Sequence, residues 1–466
     1  MRWSHASRRA LAMASALPLL LPVVGHTAGF ALLEQSASRL GNAFSGTAAT
    51  AEDATAMFFN PAALTRLDTP QVVAVASGIY VSSEFRDSAS TPALGQPLGG
   101  DGGNAGGWNF LPSAYVSTPL GERLALGFGV NVPFGLELDY DDDWIGRFQA
   151  LRSSIETVNL NPALAWRIGE RLSIGVGVNH QYIDAELSNA VNYTAAIAQG
   201  LQQLAAAGQI PAAAVPGLVA ANGALQGRVV VSGDDWAWGY NLGVLFELSD
   251  ATTIGLSYRS TLKYTVTGTA AFTRPQVAEP IGAGIVALAS APGGPLADGP
   301  VQVDLELPDM AILSLRQALG ARVELLADIA WTGWSSIQEL DIVRSDTGET
   351  LSLTPEHWDD TWRFALGLSY ELRPDLRLRG GVAYDEAPVP GATRTPRLPD
   401  ADRRWLAIGA QWRATDALTL DFGYAHLFQR NVRLEQDAGN AAVNAMLDGT
   451  QRSSVDIVAL QAAVRF

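Results

Sequence analysis

Few side chains in this sequence are of the types that do covalent chemistry. There is no cysteine, which excludes thiolate nucleophiles and disulfides. Beyond residue 30 the histidines are His180, His357 and His426. No G-x-S-x-G nucleophile elbow accompanies them. A serine, a histidine and an acid can still meet only in the folded chain, so a lipase is kept as a remote alternative. Tyr140-Asp141-Asp142-Asp143 supplies carboxylates that could hold calcium, although a solvated acidic loop is the plainer reading. Asp385, Arg394, Asp400, Asp402 and Arg403 mix opposite charges within one short stretch, which reads as a salt-bridge network rather than a binding site. No catalytic residue, no cofactor fingerprint and no metal-ligand set is expected.

The elements that would position these groups begin with a leader. Arg2, Arg8 and Arg9 precede an apolar stretch from Ala10 to Val24 and small residues at Gly25 and Ala28, the order of a secretory signal. Residues 1–27 are read as that signal, with the boundary between 25 and 28. Past it, no block of 18 apolar residues could form a membrane-spanning helix. Yet 48% of the chain is hydrophobic and 46 residues are glycine. Hydrophobicity spread in this way suits strands that turn only every second residue to lipid. Without the three leader arginines, 28 basic residues face 47 acidic ones, about −19, which argues against nucleic acid as a partner.

Strict alternation follows. Leu124, Leu126, Phe128 and Val130 share one side, with Ala125, Gly127 and Gly129 on the other. The pattern returns at Leu172, Ile174, Val176 and Val178, and at Phe364, Leu366, Leu368 and Tyr370. Six tight polar turns interrupt it, at Leu120-Gly121-Glu122, Ile168-Gly169-Glu170, Leu248-Ser249-Asp250, Leu319-Gly320, Arg373-Pro374-Asp375 and Ala414-Thr415-Asp416. Seven long irregular loops lie between them, 192–227 and 276–300 among the longest. Thirteen connections give fourteen antiparallel strands over residues 70–466, an all-β transmembrane barrel in the outer-membrane style. Closure removes the edges that an open sheet would expose. Trp166, Tyr370 and Trp412 beside short turns, and Trp108, Trp331, Trp334, Trp358, Trp362 and Trp405 toward the loops, are expected to form two interfacial belts.

Residues 28–69 do not alternate. Leu33, Ala37, Leu40 and Phe44 recur at helical spacing, Ala51 to Phe59 reads as a second short helix, and Asn60-Pro61-Ala62 breaks it. A barrel of this size has an open lumen unless something fills it, so this segment is expected to be a plug. The third strand carries Pro133, which cannot donate to a ladder, and Gly135. Either the strand kinks and leaves a gap in the wall, or it ends there. The loop 192–227 reads as two short amphipathic helices broken at Pro211 and Pro216. A surface loop so rich in Ala, Leu and Val suits contact with something apolar.

The chain resembles the FadL family of outer-membrane transporters for long-chain fatty acids and other hydrophobic compounds. The resemblance rests on Ala28-Gly29-Phe30 with Leu33, Glu34 and Gln35; Gly41-Asn42-Ala43 with Ser45-Gly46; Asn60-Pro61-Ala62; and Tyr384-Asp385-Glu386-Ala387-Pro388-Val389-Pro390 leading to Arg394, Pro399-Asp400, Asp402-Arg403 and Trp405. It implies a fourteen-stranded barrel, an N-terminal hatch and a kinked third strand that opens sideways at Pro133 and Gly135. It further implies capture in a loop groove, then a pocket touched by Phe30, with Leu33, Glu34, Asn60, Pro61 and Ala62 in the hatch and Asn60-Pro61-Ala62 beside the wall opening. Asn189 and Asp341 occupy positions where fatty-acid transporters of the family carry basic residues. Either Arg394 or Arg403 then meets a carboxylate, or the ligand is an uncharged aromatic or alkane hydrocarbon. The expected partners are a hydrophobic small molecule, the outer membrane with its lipopolysaccharide, and the barrel assembly machinery, which would read the terminal Val458, Leu460, Ala462, Val464 and Phe466. A monomer is expected. An open diffusion porin is the rival that the plug argues against.

Overall fold

The computed structural model describes residues 29–437 and 445–466. The expected signal, 1–27, lies outside them. From an N-terminal segment, called the hatch, that is buried against the inner faces of the strands, the chain enters a closed antiparallel barrel of fourteen staves, several of them interrupted. These are β1 (Gln71–Asp87), β2 (Trp108–Leu120), β3 (Leu124–Asn131) continued by β4 (Gly135–Asp139), β5 (Arg152–Arg167), β6 (Leu172–Asn192) and β7 (Gln226–Ser249). Next come β8 (Thr252–Arg259) continued by β9 (Leu262–Thr273), β10 (Gly299–Leu307) continued by β11 (Met310–Ala318), and β12 (Val323–Thr332) continued by β13 (Glu339–Arg344). The last are β14 (Thr350–Pro355) with β15 (Thr361–Arg373), β16 (Leu376–Asp385), β17 (Arg403–Arg413), β18 (Leu418–Gln429) with β19 (Val432–Asp437), and β20 (Met446–Arg465). β1 and β20 pair from Gln71 opposite Arg465 to Asp87 opposite Gly449, which closes the sheet.

Alternation decides which face is wet. Along β15 buried and exposed residues alternate from Thr361 to Tyr370, and Trp362, Phe364, Leu366 and Leu368 look outward. The small inward residues let the hatch approach: a Cβ on Gly41 of the hatch would lie 2.8 Å from the Gly409 Cα in β17, so two backbones touch there. Interfacial belts form from Trp108, Trp166, Trp362 and Trp412, all exposed. Trp334, Trp358 and Trp405, expected in the outer belt, are instead buried inside. Trp405 falls on the lumen-facing alternation of β17, while Trp334 and Trp358 lie in inward-turned interruptions within the ninth and tenth staves.

The hatch is less helical than its periodicity predicts. Only Ala37–Leu40 and Ala56–Phe59 are α-helical. Ala43 and Phe44 both adopt φ of 51°, which ends the first helix before Phe44. Asp53 takes hydrogen bonds on one carboxylate oxygen from the Thr55 amide (2.8 Å) and hydroxyl (2.6 Å), a local turn that competes with helix from Ala51 onward. Asn60 is extended, and its side chain caps a 3-10 turn over Pro61–Arg66. Outside the membrane, the loop after β6 holds helices at Tyr193–Ala206 and Val215–Ala221. A further helix, Pro280–Ala289, unforeseen in the sequence, occupies the 276–300 loop.

Candidate functional site

Inward residues of β6, β7, β9, β10 and β13 alternate with polar outward ones, and the strands converge above the hatch. Leu187, Val231, Val266, Val303, Leu305 and Ile342 thereby line an apolar cavity of about 120 Å³. Phe30 and Trp358 belong to the same lining. The Phe30 ring is fixed by edge contacts to Phe134 (5.9 Å), Trp334 (5.0 Å) and Trp358 (5.8 Å between centroids).

Two ionisable groups reach this cavity, Arg397 and Glu356. The Arg397 guanidinium donates to the Asn189 side-chain oxygen (3.1 Å), the Ser153 hydroxyl (3.3 Å) and the carbonyls of Arg152 and Ser188 (both 3.4 Å). All four acceptors are neutral, and among the described residues no carboxylate makes an ion pair with it. Burial lowers its pKa to about 10, which leaves it cationic at neutral pH. Glu356 accepts from the Trp358 indole at 2.8 Å. Burial pushes its carboxyl up to about 7, against the opposing pull of that indole and of Arg397.

At the wall, the third stave stops at Asn131 and resumes at Gly135, still paired with β5. On its other side, pairing with β2 ends at Ala114 opposite Val130. The hatch enters the break through a single antiparallel bridge, Ala31 opposite Phe134. The Leu32 amide donates to the Pro133 carbonyl and the Gly135 amide to the Phe30 carbonyl, both at 2.8 Å. Gln35 completes the seam: its side-chain oxygen accepts from the Ser113 hydroxyl on β2 (2.8 Å) and the Val132 amide (3.3 Å), and its nitrogen donates to the Val132 carbonyl (2.6 Å). A hatch glutamine thus supplies the partners that the neighbouring stave no longer gives.

Leu33 lines a second cavity, under Trp334 and between hatch and wall. Glu34 is buried with both carboxylate oxygens unpartnered among the described residues. Asn60-Pro61-Ala62 presses on Gly175 and Gly243 of β6 and β7. The sheet row of Gly175 reaches β3 through Ala165 at Ala125, well before Val132, so these residues do not border the break. Asn189 is a partner of the cationic Arg397. Asp341 follows the opposite alternation to Leu340 and Ile342, which line the cavity. Arg394 donates to the carbonyls of Asp400 and Val389 in its own loop. Arg403 is paired with Asp400, whose other oxygen takes the Gly29 amide at 2.7 Å. Neither arginine lines the upper cavity. Asp385 lies opposite Arg363 and Arg403 in register. Asp402 accepts instead from the Tyr384 hydroxyl (2.8 Å) and the Ala387 amide, which leaves it outside the lumen network, since Tyr384 faces outward.

Residue-by-residue reading missed Arg397. The available signal is Thr395-Pro396-Arg397-Leu398-Pro399, an arginine held among prolines and an apolar residue in the segment that supplied Arg394 and Arg403. The aspartates 141–143 do not converge; Asp142 meets Arg228 at 3.4 Å, and no group of acids or histidines among the described residues could hold a metal ion. His426 contacts Asp456 (2.8 Å), but the hydroxyl sharing that carboxylate belongs to Tyr424.

The outer membrane protein transport protein family (OMPP1/FadL/TodX) matches residues 20–466. A long-chain fatty acid transport protein of Escherichia coli O6:H1 is 28% identical over 449 residues, 95% of this chain and 96% of that one. A Pseudomonas aeruginosa FadL homologue of solved structure aligns with a TM-score of 0.82 at 25% identity, covering 94% of this chain and all of that one (100%). The toluene transporter TodX of P. putida shares the fold, with a TM-score of 0.66 at 17% identity over 93% of this chain and 99% of its own.

Proposed function

We propose that this chain, which belongs to the OMPP1/FadL/TodX family of outer membrane transport proteins, takes up long-chain fatty acids, holding the alkyl chain in the upper apolar cavity with the carboxylate on Arg397. The observation that carries the reading is a cation at the edge of an apolar cavity whose four hydrogen-bond acceptors are neutral and which, among the described residues, makes no ion pair even with nearby Glu356. An unpaired buried cation is costly, and a carboxylate from the ligand would relieve that cost. Each methylene removed from water contributes about 0.8 kcal/mol, so a chain of a dozen or more carbons binds well in such a lining. The same affinity would trap it. Withdrawal of Phe30 would open the floor of the cavity, and release of Gln35 from Ser113 and Val132 would unseal the wall at Pro133 and Gly135, so that cargo leaves sideways into the bilayer.

A second reading, uptake of uncharged hydrocarbons, is favoured by Asn189 and Asp341, which bring no cation to the cavity. In either case the chain carries a ligand rather than transforms it, works as a monomer and is inserted by the barrel assembly machinery. Growth of a deletion strain on oleate or hexadecane as sole carbon source, complemented with wild type or Arg397→Ala, separates the two. Loss of growth on oleate alone supports the fatty-acid reading; equal growth of both strains on oleate removes it.

A further inference from the structure

The wall has another fault, remote from β3. Three adjoining staves break at one level: the seventh at Ser260-Thr261, between β8 and β9; the eighth at Pro308-Asp309, between β10 and β11; the ninth after Thr332. The last complete row runs from Arg259 through Met310 to Thr332. Above it, β10 remains paired with β9 but meets the ninth stave again only at Gln302 and Val301. Across the intervening stretch the described hydrogen bonds are two, from the Gly333 amide to the Asp309 carbonyl and from the Ser336 hydroxyl to the Glu306 carbonyl, both 2.9 Å, and the rest is side-chain packing of Leu305 and Leu307 with Trp334 and Ile337. Pro308 has no amide to offer.

Both cavities abut this seam. Leu305 and Ile337 belong to the upper one. The lower, hatch-side cavity is lined by lumen-facing Phe44 and Asp328, yet also by Tyr258 and Trp331, whose strand positions face outward. Trp331 stands opposite the exposed Trp362, in the outer aromatic belt, where a bilayer meets its polar layer. At the mouth, the Asp309 carboxylate accepts from the Tyr258 hydroxyl at 2.9 Å. An acid there disfavours a second carboxylate and leaves a neutral chain unaffected.

We infer that this seam is a second side opening of the barrel, through which uncharged apolar molecules dissolved in the outer leaflet enter the hatch-side cavity without passing the loops or Arg397. It goes beyond the fatty-acid reading and does not depend on it. The wild-type protein in outer-membrane vesicles is irradiated with an alkane carrying a diazirine, and the labelled peptides are identified. Labelling of Tyr258, Met310 and Trp331 is expected; labelling confined to the 192–227 and 276–300 loops overturns the inference. Ala330→Trp, which fills the cavity behind the seam, is then assayed in cells. Loss of dodecane uptake with dodecanoate uptake intact supports the opening. Unchanged dodecane uptake, or equal loss of both substrates at equal barrel content, contradicts it. Arg397→Ala serves as the converse control, since its effect falls on dodecanoate alone if the fatty-acid reading holds.

Discussion

The hatch is held in two different ways along its length. From Arg39 to Arg66 it is fastened to the wall by charge. Glu52 meets Arg377 at 3.1 Å and also Arg379, which is fully buried and reaches Asp421 at 2.8 Å. Asp328 of β12 gathers the amides of Gly46 and Thr47, and Arg66 pairs with Glu247 at 2.8 Å. From Phe30 to Gln35 the holding groups are two backbone hydrogen bonds, the Gln35 amide, the Ser77 hydroxyl donating to the Glu34 carbonyl (2.9 Å) and aromatic edges, all neutral. Multiply bonded charges cannot separate without exposing one another to a poor medium, whereas neutral bonds and ring contacts exchange at modest cost. The contrast assigns the anchor to Arg39–Arg66 and the motion to Phe30–Gln35.

Removing the anchor gives the largest expected effect. Arg379→Ala leaves Glu52 and Asp421 facing each other without their shared cation and should cost about 3–5 kcal/mol, read as a lower urea midpoint for the folded barrel. An unchanged midpoint would break the contrast. At the gap, Gly135→Trp should abolish oleate uptake while barrel content in the membrane stays normal; normal uptake would remove lateral exit. Gln35→Leu strips partners from Ser113 and Val132, a local loss of about 1–3 kcal/mol. Faster deuterium exchange at Val132 and Gly135 is expected, with little change around Glu52. Equal acceleration in both regions would show that the hatch moves as one body.

The smallest effect concerns pH. Glu356, raised to about 7 by burial, is mostly neutral at pH 6 and ionised at pH 8. Only the ionised form competes with a ligand anion for Arg397. Dodecanesulfonate, whose head group stays charged throughout, should therefore bind more weakly at pH 8 than at pH 6, and Glu356→Gln should flatten the difference. Calorimetry at the two pH values reads it.

The sequence made the frame legible because alternation and turn chemistry are local. Six tight turns and Gly-rich inward faces suffice to count fourteen staves, and Pro133 marks the third as faulty by its missing amide. Interior assignments fared worse. Trp334 and Trp358 lie where staves leave the wall, so their side follows from tertiary packing. Ala43 and Phe44 in left-handed backbone end a helix that the spacing of Leu40 and Phe44 would prolong. Proximity in sequence groups Asp402 with Asp400 and Arg403, yet one step past Ala401 turns it outward to Tyr384. Arg397 escaped because its role depends on β5 and β6, whose Ser153 and Asn189 it meets far away in the chain.

In the proposed function Arg397 is the carboxylate partner in an otherwise apolar cavity. Titrating purified protein with oleate and with oleyl alcohol, for wild type and Arg397→Ala, tests it most directly. Loss of a charge-assisted hydrogen bond of about 1.5–3 kcal/mol predicts oleate binding weakened by about tenfold or more, with oleyl alcohol unchanged. Equal affinities of wild type and Arg397→Ala for oleate would contradict it.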